Sequence, residues 1–187
     1  MTDEDGIYLD IDIVDENNNL TGKATNYFDL HNNNLLHRAA HVWLIEGDNL
    51  IFQRRGKIVD SPGMLDATAG GHIDTGESGK CGAVRETFEE IGLVITEDDL
   101  GEEFIFRFSE QFREDWFENE FRHIYFIKRD KFKLTINSEV EEFVKVPLSH
   151  LKKFHKTCEG NSILKCNNNY FNFVFKIISE KFNIKFD

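Results

Sequence analysis

The stretch that most constrains this chain is residues 70–93, GGHIDTGESGKCGAVRETFEEIGL. Its first part is a glycine-rich loop and its second a helix over 78–91, where Ser78 can cap the start and Gly92 suits the end. At 100° per residue, Cys81, Val84, Phe88 and Ile91 form a narrow apolar stripe, expected to face the core. Glu86, Glu89 and Glu90 gather on the opposite side. Like charges three and four residues apart each cost an isolated helix a few tenths of a kcal/mol, and only Arg85 stands close in sequence to offset them. The cluster therefore needs a counterion. One reading is an ordinary acidic face screened by solvent. The other is a divalent cation, favoured by the three glycines of GGHIDTGES, which let the loop bring its carbonyls close to whatever the helix holds. Magnesium suits such a place, taking a few carboxylate oxygens and leaving positions for water and substrate phosphate.

Composition bounds the rest. With 187 residues, 40% of them hydrophobic, the chain has enough apolar material for one core and is short for two, so a single domain over 1–187 is expected. No run of about 18 apolar residues occurs, and the start, MTDEDGIYLD, is acidic where a signal peptide is basic and then apolar. A soluble, cytoplasmic protein without a membrane partner is expected. Cys81, Cys158 and Cys166 form no C-x-x-C pair and are odd in number, which speaks against a disulfide framework or a cysteine zinc site. The net charge of −12 argues against nucleic acid as a partner, since such binding depends on Lys and Arg displacing counterions. Phosphate chemistry stays open to an acidic protein when a cation mediates it.

Asn triplets at 17–19, 32–34 and 167–169 read as loops. IYLDIDIV (7–14) alternates as a half-buried strand does, and two strands near 40–45 and 49–54 flank a Gly-Asp turn, a hairpin. EFIFRFSEQF, RHIYFIKRD and VEEFVKVPL read as further strands, the last closed by Pro147. Residues 170–182 repeat apolar side chains at helical spacing, through Phe171, Val174, Phe175 and Ile178, as a helix packed on the sheet does. The whole is an α/β protein with helices covering a mixed β-sheet.

Gly71, five residues, Glu77, seven residues, then RETFEEIGL resembles the Nudix box, G-x5-E-x7-R-E-U-x-E-E-x-G-U with U aliphatic. Gly71, Glu77, Arg85, Glu86, Glu89, Glu90 and Gly92 fill every fixed position of residues 71–93, and only Thr87, at the first U, departs. The resemblance implies a Nudix-type α/β/α sandwich with a mixed β-sheet, flanked here by an N-terminal strand-containing extension (1–36) and a C-terminal helical segment (148–187). It also implies Mg²⁺, or Mn²⁺, and hydrolysis of a small organic diphosphate, commonly a nucleoside diphosphate linked to another group. By position Glu86 and Glu90 would be the principal metal ligands, with Glu89 a further ligand or the base and the carbonyl of Gly70 or Gly71 completing the shell. Arg85 would orient Glu77 or Glu89.

LHRAAHVWLI, IFQRR, SPGMLDATAGGH and FENEFRHIYF extend the resemblance, over roughly residues 7–147, to the branch related to isopentenyl-diphosphate isomerase. Those enzymes move a double bond, using a cysteine just before the Gly-His of the box and a glutamate of a downstream Glu-x-Glu. Here Gly70 stands in the cysteine's place, so hydrolysis is expected over isomerisation. A non-catalytic binding module is disfavoured because no box glutamate is lost. His37, His72, Glu118 and Glu120 match isomerase positions that bind metal or act in catalysis; in a hydrolase Glu118 and Glu120 can supply the base or another ligand or stand as solvated loop carboxylates, and the two histidines can equally be packing or hydrogen-bonding residues. Arg54, Arg55 and Lys57 follow a strand just before the box, where Arg54 or Arg55 can bind substrate phosphate, as can His72. The Phe-rich outer segments suit core, base stacking or a homodimer interface alike.

Overall fold

A computed structural model describes residues 10–59, 61–158 and 168–186. In chain order its elements are β1 (Ile11–Val14), β2 (Leu20–Thr25), α1 (Tyr27–Asn32), β3 (His37–Glu46), β4 (Asn49–Arg55), β5 (Leu65–Asp66), β6 (Ala69–His72), α2 (Gly79–Ile91) and α3 (Glu97–Leu100). Then follow β7 (Phe104–Arg113), β8 (Trp116–Arg129), β9 (Val140–Pro147), a 3₁₀ turn over Leu148–His150, α4 (Leu151–Cys158) and α5 (Asn168–Phe182). Strand β3 is the axis of a seven-stranded sheet: β8 lies beside it in parallel, and its other edge passes from β6, antiparallel at Ala39–Val42, to β4, antiparallel at Leu44–Glu46. Where β6 and β4 part, the buried Thr68 hydroxyl accepts from Leu44 N–H at 3.0 Å and donates to the Ile51 carbonyl. Backbone groups left orphaned by the parting are thereby satisfied.

Side chains alternate across this sheet. Ala40, Val42, Leu44, Ile51, Tyr125 and Ile127 pack with Ala83 and Ile91 of α2 on one face. On the other, Trp43, Ile45, Phe52, Ile124 and Phe126 pack with Tyr170, Phe171, Val174 and Phe175 of α5. Helix, mixed sheet and helix make the α/β/α sandwich, and the phenylalanines Phe171 and Phe175 belong to its core. Among the described residues, no helix is long and apolar enough to cross a membrane.

Several local expectations need correction. The first strand begins at Ile11, and its proposed residues 7–9 lie outside the described residues. The second Asn triplet closes the short helix α1, with Asn33 as its C-cap and Asn34 at φ 53°. Of the third, Asn168 and Asn169 open α5, while Asn167 lies outside the described residues. Helix α2 has the expected ends: Ser78 Oγ accepts from Cys81 N–H at 3.0 Å, and Gly92 closes it at φ 64°. Its rotation differs. Cys81 is exposed and Phe88 is 59% exposed, whereas Gly82, Ala83, Glu86, Thr87, Glu90 and Ile91 are buried. The helix turns Glu86 and Glu90 inward, and Gly71 leaves room for the first: a Cβ there would meet the Glu86 carboxylate at 2.5 Å. Thr87 fits the buried face because its hydroxyl donates to the Ala83 carbonyl at 2.6 Å.

Candidate active site

The site lies at the end of the sheet where β6 approaches α2. Gly70 N–H donates to Glu90 Oε2 at 2.8 Å, and Gln53 Nε2, from β4, donates to the same oxygen at 3.2 Å. Burial pushes Glu86 up to about 8, against the pull of Arg85, with Glu89 and Asp74 adding to the rise. Glu90 is raised well above the carboxylate range by burial and by Glu86. Two neighbouring buried carboxylates that resist ionisation are the arrangement a cation relieves.

Arg85 is the hub on the outer side. Its guanidinium holds both Glu77 oxygens at 2.9 and 2.8 Å, Glu86 Oε1 at 2.8 Å, Glu89 Oε2 at 3.2 Å and the His72 carbonyl at 2.9 Å. Burial would raise Glu77, yet its bonds to Arg85 hold it low, and Arg85 is correspondingly raised. Both partners shift as an ion pair requires, whereas Glu86 shifts the other way, so Glu77 is the principal partner. Glu89 is turned outward onto Arg85, with its side chain 40% exposed, rather than lying beside the buried pair.

Strand alternation separates the two arginines of β4. Arg55 shares the Gln53 face, pairs with Asp66 at 2.9 Å and faces Glu90 and Tyr27. Arg54 takes the opposite face, bonding Glu142 at 2.6 Å and the Gly63 carbonyl at 2.8 Å. Lys57 follows β4 as an exposed residue.

A second cluster lies beside the first. The parallel register sets Glu120 opposite His37, and ligand atoms of His31, His37, His72 and Glu118 all lie within 4.8 Å of one another. His37 Nδ1 meets the Leu35 carbonyl at 2.9 Å and His31 Nδ1 the Phe117 carbonyl at 2.8 Å. Each of these ring nitrogens must donate, so each Nε2 carries a lone pair. Burial holds His37 and His72 low, and the neutral imidazole is the ligating form. Burial and the neighbouring Glu120 push Glu118 up, while Arg122, bonded to Glu120 at 2.6 Å, holds Glu120 down against its own burial.

Two orphaned atoms test whether cations fit. Gln53 Oε1 and His37 Nε2 are buried without a hydrogen-bond partner, the first on the side chain that reaches Glu90 and the second 3.7 Å from Glu120. Hard oxygens beside α2 suit Mg²⁺ or Mn²⁺, and the imidazole-rich cluster suits a softer divalent ion. The sequence reading missed His31, Gln53 and Asp66; only the two histidines flanking the second Asn triplet hinted at His31.

The raised Glu86 has a measurable consequence. Its carboxyl moves from 4.5 to about 8, so between those values the native state keeps a proton that the unfolded chain has lost. Stability is then lost as pH rises through the folded value. At about 1.4 kcal/mol per unit, protein in chelator is expected to lose a few kcal/mol between pH 5 and 8. Mg²⁺ added at about pH 8 is expected to recover the loss, and Glu86→Gln to flatten the profile. Thermal melts across this range check it, and a pH-independent melting temperature in chelator contradicts it.

The sequence model described as the NUDIX domain matches residues 35–164. Nudix hydrolase 3 of Arabidopsis thaliana is 31% identical over 121 residues, covering 62% of this chain and 16% of that protein. This chain likewise spans under half the length, 45% and 46%, of Nudix hydrolases from Clostridium acetobutylicum and Yersinia pestis. The DR0079 protein of Deinococcus radiodurans has a similar fold, with a TM-score of 0.62 at 16% identity over 91% of this chain and 98% of that one. A bifunctional NMN adenylyltransferase/ADP ribose pyrophosphatase from Francisella tularensis reaches 0.57 at 15% identity, over 76% of this chain and 41% of that one. By its box, its sandwich fold and a family match spanning most of its length, this chain is a member of the NUDIX domain family.

Proposed function

We propose that the protein is a divalent-cation-dependent hydrolase of small organic diphosphates. The observation that carries this reading is the buried Glu86 and Glu90 pair set against the Gly70–Gly71 loop. Glu86 and Glu90 would hold Mg²⁺ or Mn²⁺, with Glu89 and the Gly70 carbonyl as further ligands. The ion, when bound, neutralises the diphosphate and polarises phosphorus. Arg85 keeps Glu77 ionised and holds Glu89 in place, and Glu89 or Glu120 takes the proton of the attacking water. Arg55 and His72 would bind phosphoryl oxygens; Arg54, committed to Glu142, is the weaker candidate. The Francisella neighbour named an ADP ribose pyrophosphatase supports a nucleoside-diphosphate-type substrate.

Isomerisation is the second reading, carried by the histidine cluster and Glu118. Position 70 opposes it on more than the missing thiol: a Cβ there would stand 2.7 Å from the Ala40 carbonyl and 3.3 Å from His41 Cδ2. Gly70→Cys is expected to force β6 away from β3, lowering stability by about 1–3 kcal/mol, and to yield no isomerase. Melting curves and an isopentenyl diphosphate assay check both halves.

The proposal itself is tested by incubating the protein, with Mg²⁺ or chelator, with nucleoside di- and triphosphates, nucleotide sugars, dinucleotides and isopentenyl diphosphate, identifying products by mass. Cation-dependent cleavage of at least one diphosphate is expected. An isomer formed without phosphate release overturns the ranking.

A further inference from the structure

We propose that strand β1 is a strap on the loop of the box, and that Asp12 within it is a positioning residue for the cation site. β1 lies before residues 35–164, the part matched by the family model. The proposal rests on the hydrolase reading for the cation and on geometry for the strap.

The strap is anchored at both ends. Val14 is buried with Leu36 and Phe121, and its N–H donates to the Leu36 carbonyl at 2.8 Å. The turn that follows is pinned to β3, for Arg38 Nε donates to Asn18 Oδ1 at 2.7 Å. At the other end Ile11 is buried and bridges to Asp74. Beside that bridge β1 receives three donors from the loop. Thr75 N–H and the Thr75 hydroxyl donate to the Asp10 carbonyl at 3.0 and 2.9 Å, and Gly76 N–H donates to Asp12 Oδ2 at 2.9 Å. The carboxylate acceptor makes this last bond a charge-assisted one.

Thr75 and Gly76 stand between Asp74 and Glu77, which close the loop on itself. Asp74 N–H donates to Glu77 Oε2 at 3.1 Å, and Glu77 N–H to the Asp74 carbonyl at 3.0 Å. The Glu77 carboxylate in turn holds Arg85, whose guanidinium also reaches Glu86 and Glu89. While Glu77 secures it, the guanidinium shares only part of its charge with Glu86. Released from Glu77, it would settle on Glu86 and Glu89, and a cation would have to displace it. Strap, loop, Glu77 and Arg85 thus form one chain of contacts ending at the cation pair, and the first link lies outside the family match. Asp12 acts on the site through Gly76 and Glu77.

The test combines hydrogen exchange in chelator with Mg²⁺ titration by calorimetry, on the full chain. Asp12→Ala is expected to speed exchange of the Gly76 amide roughly tenfold without Mg²⁺, and to weaken Mg²⁺ binding roughly threefold, because the ion must then order the loop. Asp12→Asn keeps an acceptor for Gly76 and is expected to restore most of both. Asp15→Ala is the control for a merely structural role. Asp15 Oδ1 accepts from Asn17 and Asn19 N–H at 2.8 and 2.9 Å in the β1–β2 turn, so its loss is expected to lower the melting temperature while Mg²⁺ affinity holds. Mg²⁺ affinity unmoved by Asp12→Ala, or moved as far by Asp15→Ala, overturns the proposal. Should Asp12→Ala fail to fold, Thr75→Val, which deletes the hydroxyl bond to Asp10, is expected to show the same two changes and decides. A wild type whose Gly76 amide is protected but which takes up no Mg²⁺ overturns the cation reading and the role of Asp12 with it. Mg²⁺ uptake with an unprotected Gly76 amide overturns the strap alone.

Discussion

Glu90→Gln is expected to lower turnover by about a thousandfold or more while leaving the fold intact. The substitution preserves shape, and the amide oxygen can still accept from Gly70 N–H and Gln53, the two donors that hold Glu90. What it removes is one of the two buried negative charges against which a cation binds, and with it the electrostatic term that dominates reactions at phosphorus. Because ionising Glu90 is opposed by burial and by Glu86, the variant is expected to melt no lower than the wild type in chelator, and to lose the stabilisation by Mg²⁺. Steady-state kinetics and melts with and without Mg²⁺ check this together. Retained turnover would remove the assigned cation site.

The second large effect is at Arg85. Its removal uncovers Glu77, Glu86, Glu89 and Asp74 at once, since each lies within 3.3 Å of the guanidinium. Breaking a partly buried pair by deleting one member costs about 3–5 kcal/mol, so Arg85→Ala is expected to lower the melting temperature by on the order of ten degrees. Arg85→Lys is expected to recover only part, because an ammonium cannot grip both Glu77 oxygens as the fork does. Mg²⁺ is expected to offset part of the loss in Arg85→Ala by neutralising the exposed carboxylates. A loss below about 1 kcal/mol would place these carboxylates among solvent-screened surface charges instead.

Much of the architecture was legible because its signals are local. Ser78 and Gly92 mark the ends of α2 through capping and a left-handed residue, and the Gly47–Asp48 turn marks the β3–β4 hairpin. The rotation of α2 was not legible, because it depends on a partner in another strand. An apolar count turns Cys81 and Phe88 inward, but the missing Cβ of Gly71 admits Glu86 instead. Box spacing named Glu77, Arg85, Glu86 and Glu90, and the structure joins them through Arg85 and the Gly70–Gly71 loop. His31 escaped notice because tertiary packing gives it its place, meeting His72 across 41 positions of sequence. Arg54 and Arg55 were indistinguishable as neighbours, and only the pleat of β4 sends one to Asp66 and the other to Glu142.

On the proposed reading, the Glu86 and Glu90 pair serves the attack of water on a diphosphate. It is tested most directly by running the reaction with Mg²⁺ in heavy-oxygen water on a substrate the protein turns over, and weighing the products. One heavy oxygen on a released phosphate or nucleotide in the wild type, and none above background in Glu90→Gln, is the predicted result. Turnover that rearranges the substrate without taking up heavy oxygen, or uptake undiminished in Glu90→Gln, would contradict it.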